Sequence, residues 1–173
     1  MNFNYIPLYA ALLTLAACSP NTRSTENSKA ITDTAAFQND NHSEEKGLYA
    51  KMYLKDSIKS GDSVLMRFTI YNNTTAVQQF CKWHTPFEPL MSKYLDVKNE
   101  NGEEVLYRGP MAKRIMPPPA ESYIKINPKD SLSITVDVLK AYPIDQAAKY
   151  TITYTGQNMS GLIVKDSVSF VYK

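Results

Sequence analysis

Covalent chemistry in this sequence would rest on a short stock of side chains: Cys18 and Cys81 as thiols, His42 and His84 as imidazoles. Cys81 and His84 lie three positions apart. A thiolate attack on a carbonyl would use that imidazole as base and a third group to orient it. Residues three apart on a strand point to opposite faces, so this pair meets only across a bend. Hydrolytic zinc needs two or three His with a carboxylate. Here His42 and His84 are far apart, and no His-Glu-x-x-His string occurs. No glycine-rich phosphate loop is present either. The expectation is a chain that is not an enzyme, with no catalytic residues, no metal and no cofactor.

Two segments are better suited to recognition. The first runs from Phe80 to Pro89 and holds the single Trp of the chain. Trp83, His84, Pro86, Phe87 and Glu88 stand together in it. Its aromatics either plug one end of the fold or form a presented loop that enters a partner's cleft. The second runs from Tyr107 to Pro119, where Arg108, Lys113 and Arg114 precede three prolines. It is either a solvated loop or a contact for an acidic partner. Aromatics and Arg are the usual energetic anchors of interfaces, so these nine residues, from Trp83 to Arg114, are the candidate binding set. With 19 basic and 17 acidic residues, the charge balance offers no argument for nucleic acid.

Cys18 invites a different chemistry. Tyr5 to Ala17 is an apolar run of signal-peptide length, too short to span a bilayer comfortably. It ends in Leu15-Ala16-Ala17-Cys18. That string resembles the lipobox of bacterial lipoprotein precursors, in which the cysteine thiol takes a diacylglycerol and becomes the new N-terminus. The resemblance implies a signal peptide over 1–17 and a membrane anchor at Cys18, although the first residues carry no Lys or Arg. Ser19 in the next position implies sorting to the outer membrane. From 18 to 46 the chain is rich in Ser, Thr, Asn and charge, with few large apolar residues. It reads as a flexible tether. With Cys18 taken by lipid, Cys81 has no intramolecular partner and reads as a small buried apolar residue.

The elements that must position the candidate loops lie in 47–173. Twelve Tyr among the 173 residues, with many Thr, Val and Ile, favour strands. Val64, Met66, Phe68 and Ile70 alternate with Ser63, Arg67 and Thr69. Leu132, Ile134, Val136 and Val138 alternate with Ser131, Ser133, Thr135 and Asp137. Similar patterns predict strands over 48–55, 76–83, 94–98, 104–107, 123–126, 150–154 and near Val168 to Tyr172. The 76–83 strand is expected antiparallel to the one before it. Asn101-Gly102 signals a hairpin. The fold class is therefore all-β: an immunoglobulin-like antiparallel β-sandwich of roughly seven to nine strands.

Read in order, Trp83-His84-Thr85-Pro86-Phe87-Glu88, Leu95-Asp96-Val97, Asn101-Gly102, Val105-x-Tyr107-Arg108-Gly109, Lys113-Arg114, Pro117 and Tyr123 form a pattern. The Leu132 to Val138 strand, Tyr142 and Tyr150 complete it. Over Leu48 to Tyr154 this resembles the β-rich N-terminal region of bacterial metallopeptidases of the deuterolysin and peptidyl-lysine endopeptidase type. Those enzymes carry a zinc helix after this region, and this sequence reaches Lys173 without one. The resemblance implies an accessory-type module without peptidase activity. The expected function is a binding or inhibitory module that occludes a peptidase. The alternative is a structural or assembly lipoprotein that holds another envelope component.

Overall fold

Period-two alternation is realised where the sequence shows it most clearly. The computed structural model describes residues 47–88 and 90–173. The expected signal peptide and tether, with Cys18 and His42, lie outside the described residues, as does Pro89. The chain divides after Asp40, and Asn41–Lys173 forms a compact unit of its own.

The described strands are β1 (Leu48–Tyr53), β2 (Ser57–Ile58), β3 (Leu65–Asn72), β4 (Gln78–Cys81), β5 (Leu95–Asn99), β6 (Tyr123–Ile126), β7 (Ser131–Asp137), β8 (Ala148–Tyr154) and β9 (Val168–Tyr172). One sheet has the order β1-β3-β7, the other β2-β9-β8-β5, and β4 and β6 form a separate pair. Every pairing is antiparallel except the two-residue contact of β2 with β9. The result is the all-β sandwich expected, with nine strands.

Met66, Phe68 and Ile70 of β3 are fully buried, as is Val64 just before the strand. They meet Ile152 and Tyr154 of β8 and Phe170 of β9 in one core. The Phe68 and Tyr154 rings lie 5.3 Å apart. On the opposite face of β3, Leu65 and Arg67 are exposed, whereas Thr69 is buried with its hydroxyl 2.7 Å from that of Ser133.

Two expectations need correction. The stretch 76–83 does not pair with the strand before it; its ordered part, β4, pairs with β6, Phe80 opposite Ile124. Asn72 is the cause. Its buried Nδ2 donates to the carbonyls of Ala76 (2.9 Å), Ile126 (3.1 Å) and Asn127 (3.0 Å). Its Oδ1 accepts from the Thr74 backbone N–H (3.0 Å). One amide thus folds the chain over and ties it to the end of β6, where a hairpin turn would have returned it along β3.

The second correction concerns 104–107, which forms no strand. The Asn101-Gly102 turn does form, with Gly102 at φ 84 and its N–H bonded to Asn99 O at 3.0 Å. Pairing then ends at a bridge of Lys98 with Glu104 and one bond from Val105 N to Val97 O (2.8 Å). Beyond it Tyr107 packs edge-on against Tyr142, and Arg108 N donates to Ala141 O (2.8 Å). These contacts draw the chain off the sheet. A single helical turn, α1 (Gln157–Ser160), occupies the turn expected near Asn158, and Gly161 closes it at φ 75.

Candidate binding loop

The aromatic segment after β4 is a plug. Trp83 is 7% exposed, and Thr85 and Pro86 are buried. Phe87 is half-buried, with its ring 5.4 Å from Phe80 and 6.5 Å from Phe68. Thr85 organises the turn: its hydroxyl donates to Lys82 O (2.6 Å) and accepts from Phe87 N (3.1 Å). His84 takes a left-handed backbone, φ 58. Its N–H donates to Glu88 Oε1 (3.1 Å), and its carbonyl accepts from Tyr154 Oη (2.9 Å). That carbonyl also presses on Gly156, where a Cβ would sit 2.2 Å from it, so only glycine fits there.

Glu88 joins the two segments singled out in the sequence. Its side chain is 5% exposed, and both carboxylate oxygens accept from Arg114 Nη2 at 2.7 Å. The Arg114 guanidinium also lies over the Trp83 ring, 4.7 Å from its centre. Such a cation over an indole face is attracted by the ring's charge distribution. Arg114 is thus spent inside the protein, and the expected basic cluster reduces to Arg108 and Lys113. Both are exposed, and neither is ion-paired among the described residues.

The rest of the second segment is held at several points. Tyr107 Oη donates to Leu90 O (3.1 Å) and Pro110 O (2.8 Å). Ala112 N donates to Met91 O (2.7 Å). Arg114 closes the series. Between and beside these fixed points, Leu106, Met111, Ile115 and Met116 face solvent, Ile115 with 82% of its surface exposed. These four apolar residues were not in the candidate set. They show no period-two alternation, and only the fixed points reveal that the loop between them is presented rather than packed.

Burial raises the Cys81 thiol pKa and lowers that of His84. Both shifts run opposite to those of an activated thiolate–imidazolium pair, where an adjacent positive charge lowers the thiol pKa. Among the described residues no group of three or more His, Cys, Asp or Glu could hold a metal ion. No described helix is long and apolar enough to cross a membrane. No protein-family model matches the chain, and comparison with curated proteins finds no match.

Proposed function

We propose that this chain is a lipid-anchored module, not an enzyme, that binds another protein of the cell envelope through the loop from Leu106 to Met116. The observation that carries this reading is the loop's double character. It is tied down by the Tyr107 and Arg114 side chains and the Ala112 N–H, while Leu106, Met111, Ile115 and Met116 stand in solvent. A loop already held in one shape loses little entropy on docking, so its apolar contacts convert more fully into affinity. The plug of Trp83, Pro86 and Phe87, with Glu88, serves as its platform.

The lipobox-like string ending at Cys18 supports an outer-membrane anchor. The resemblance to the accessory region of deuterolysin-type metallopeptidases supports a peptidase as the partner. The loop would cover the peptidase cleft, and its internal bonds would oppose the distortion that cleavage requires. Arg108 and Lys113 favour an acidic rim around that cleft.

The test uses the unit Asn41–Lys173 with zinc endopeptidases of the deuterolysin type. We expect saturable inhibition, with the 106–116 loop still intact by mass spectrometry. Met111→Asp and Ile115→Asp should each weaken it about tenfold with no change in melting, since both side chains are exposed. Absence of binding, or rapid cutting inside the loop, rejects the peptidase assignment.

A further inference from the structure

β7 is an edge strand that lacks the usual protection. Asn72 N donates to Asp130 O and Val138 N to Val64 O, each at 2.9 Å. With that register the even-numbered residues of β7 bond to β3, and Ser133 and Thr135 turn their N–H and C=O groups outward. No strand of the described residues pairs with that side. The outer strands β1 and β5 of the two larger sheets are each met by a neighbouring segment. Ala50 N on β1 bonds Ile163 O (2.9 Å), and Val97 O on β5 accepts from Val105 N. Proteins blunt free edges with Lys, Pro or a bulge. β7 has no Lys and no Pro, and its pairing runs unbroken from Ser131 to Asp137.

Beside this edge lies an open groove of about 620 Å³, lined in part by Phe87, Leu90, Met91, Ile134 and Val136. It gives the inward side chains of an added strand an apolar place to enter. Each end of the edge carries one charge of either sign, Lys129 and Asp130 before β7 and Asp137 and Lys140 at its far end. Asp130 precedes β7 and Lys140 follows it, both exposed and neither ion-paired among the described residues.

We propose that the free edge of β7 pairs antiparallel with β7 of a second copy of this chain. Antiparallel pairing about a two-fold axis brings each copy's Asp130 to the end that carries the other's Lys140, and also sets Lys129 near the other copy's Asp137. A parallel arrangement would set like charges together. With Ser133 opposite Thr135 of the second copy, the two strands exchange backbone hydrogen bonds at both positions. The contact is isologous and closes on itself, so it yields a dimer and no fibre. The groove borders the 106–116 loop at Pro110, while the backbone pairing itself is made by β7 alone.

Sedimentation velocity of Asn41–Lys173 across a concentration series tests it. We expect a reversible monomer–dimer equilibrium, with amide exchange at Ser133 and Thr135 slowing as concentration rises. Thr135→Pro removes an outward N–H and no β3 bond, so it should keep the fold by circular dichroism and abolish the dimer. Asp130→Lys and Lys140→Asp should each weaken self-association about tenfold by setting like charges opposite. Mixing these two variants restores both attractions and should recover a heterodimer. A wild type that stays monomeric throughout overturns the proposal and leaves the edge to an unrelated extended peptide. So does a folded Thr135→Pro that still dimerises, or a mixture no better associated than its components.

Discussion

Glu88 and Arg114 form an ion pair whose partners differ in exposure, and that difference sets the outcome of mutation. Arg114→Ala leaves a carboxylate that is only 5% exposed without its cation. We expect a loss of about 3 kcal/mol, the scale of a broken buried pair. Glu88→Gln leaves the guanidinium, 20% exposed, with water and the Trp83 ring, and should cost about half as much. Urea denaturation of the two variants checks the order, and the reverse ranking would refute this account of the pair. His84 makes a second prediction at this scale. Burial lowers its pKa below the ordinary 6.5, so the unfolded chain takes up the proton first. Its contribution to stability is therefore present above about pH 6.5 and lost as pH falls through that value. His84→Asn, which tolerates the left-handed backbone, should flatten that part of the stability–pH curve.

At the scale of elements, the end of β3 decides the connectivity. Asn72 is fully buried and supplies the bonds that close Ala76, Ile126 and Asn127 around it. Asn72→Ala leaves the buried bond to the Ile126 carbonyl unmade and removes two part-buried ones, at a cost of about 1–3 kcal/mol. The effect should appear as faster amide exchange in β4 and β6 than in β8 and β9. Unchanged exchange in β4 and β6 would mean that the amide does not hold that pair. Gly156→Ala works at the junction of β8 and the plug. The new methyl meets His84 O and the Tyr154 hydroxyl, so the plug must move. We expect a loss of about 1–3 kcal/mol, read as a lower melting temperature and greater Trp83 fluorescence exposure.

At the scale of the whole molecule, several tyrosines lie in the interior. Tyr94, Tyr142 and Tyr154 are all nearly inaccessible, and burial raises each phenol well above its ordinary value of 10.0. The unfolded chain therefore loses these protons first. Their stabilisation is complete below about pH 10 and declines as pH rises beyond it. We expect these three phenols to titrate only with cooperative unfolding. Ultraviolet absorbance of phenolate, followed alongside far-ultraviolet circular dichroism, should show the two changes coinciding. Ionisation of all tyrosines ahead of unfolding would contradict this burial.

Sequence alternation alone determined the fold class, because period-two patterns such as Met66-Phe68-Ile70 and Tyr150-Ile152-Tyr154 admit only half-buried strands. It also located both loops, through residue types that do not suit regular structure. Tertiary structure decided what those loops do. Trp83 could be plug or contact until the Glu88–Arg114 pair and the Tyr154–His84 bond placed it inside, and both bonds join residues tens of positions apart. The exposure of Met111 and Ile115 and the open edge of β7 have the same origin. Side-chain periodicity reports which face of a segment is apolar, whereas the backbone partners of a strand or loop depend on how distant segments meet.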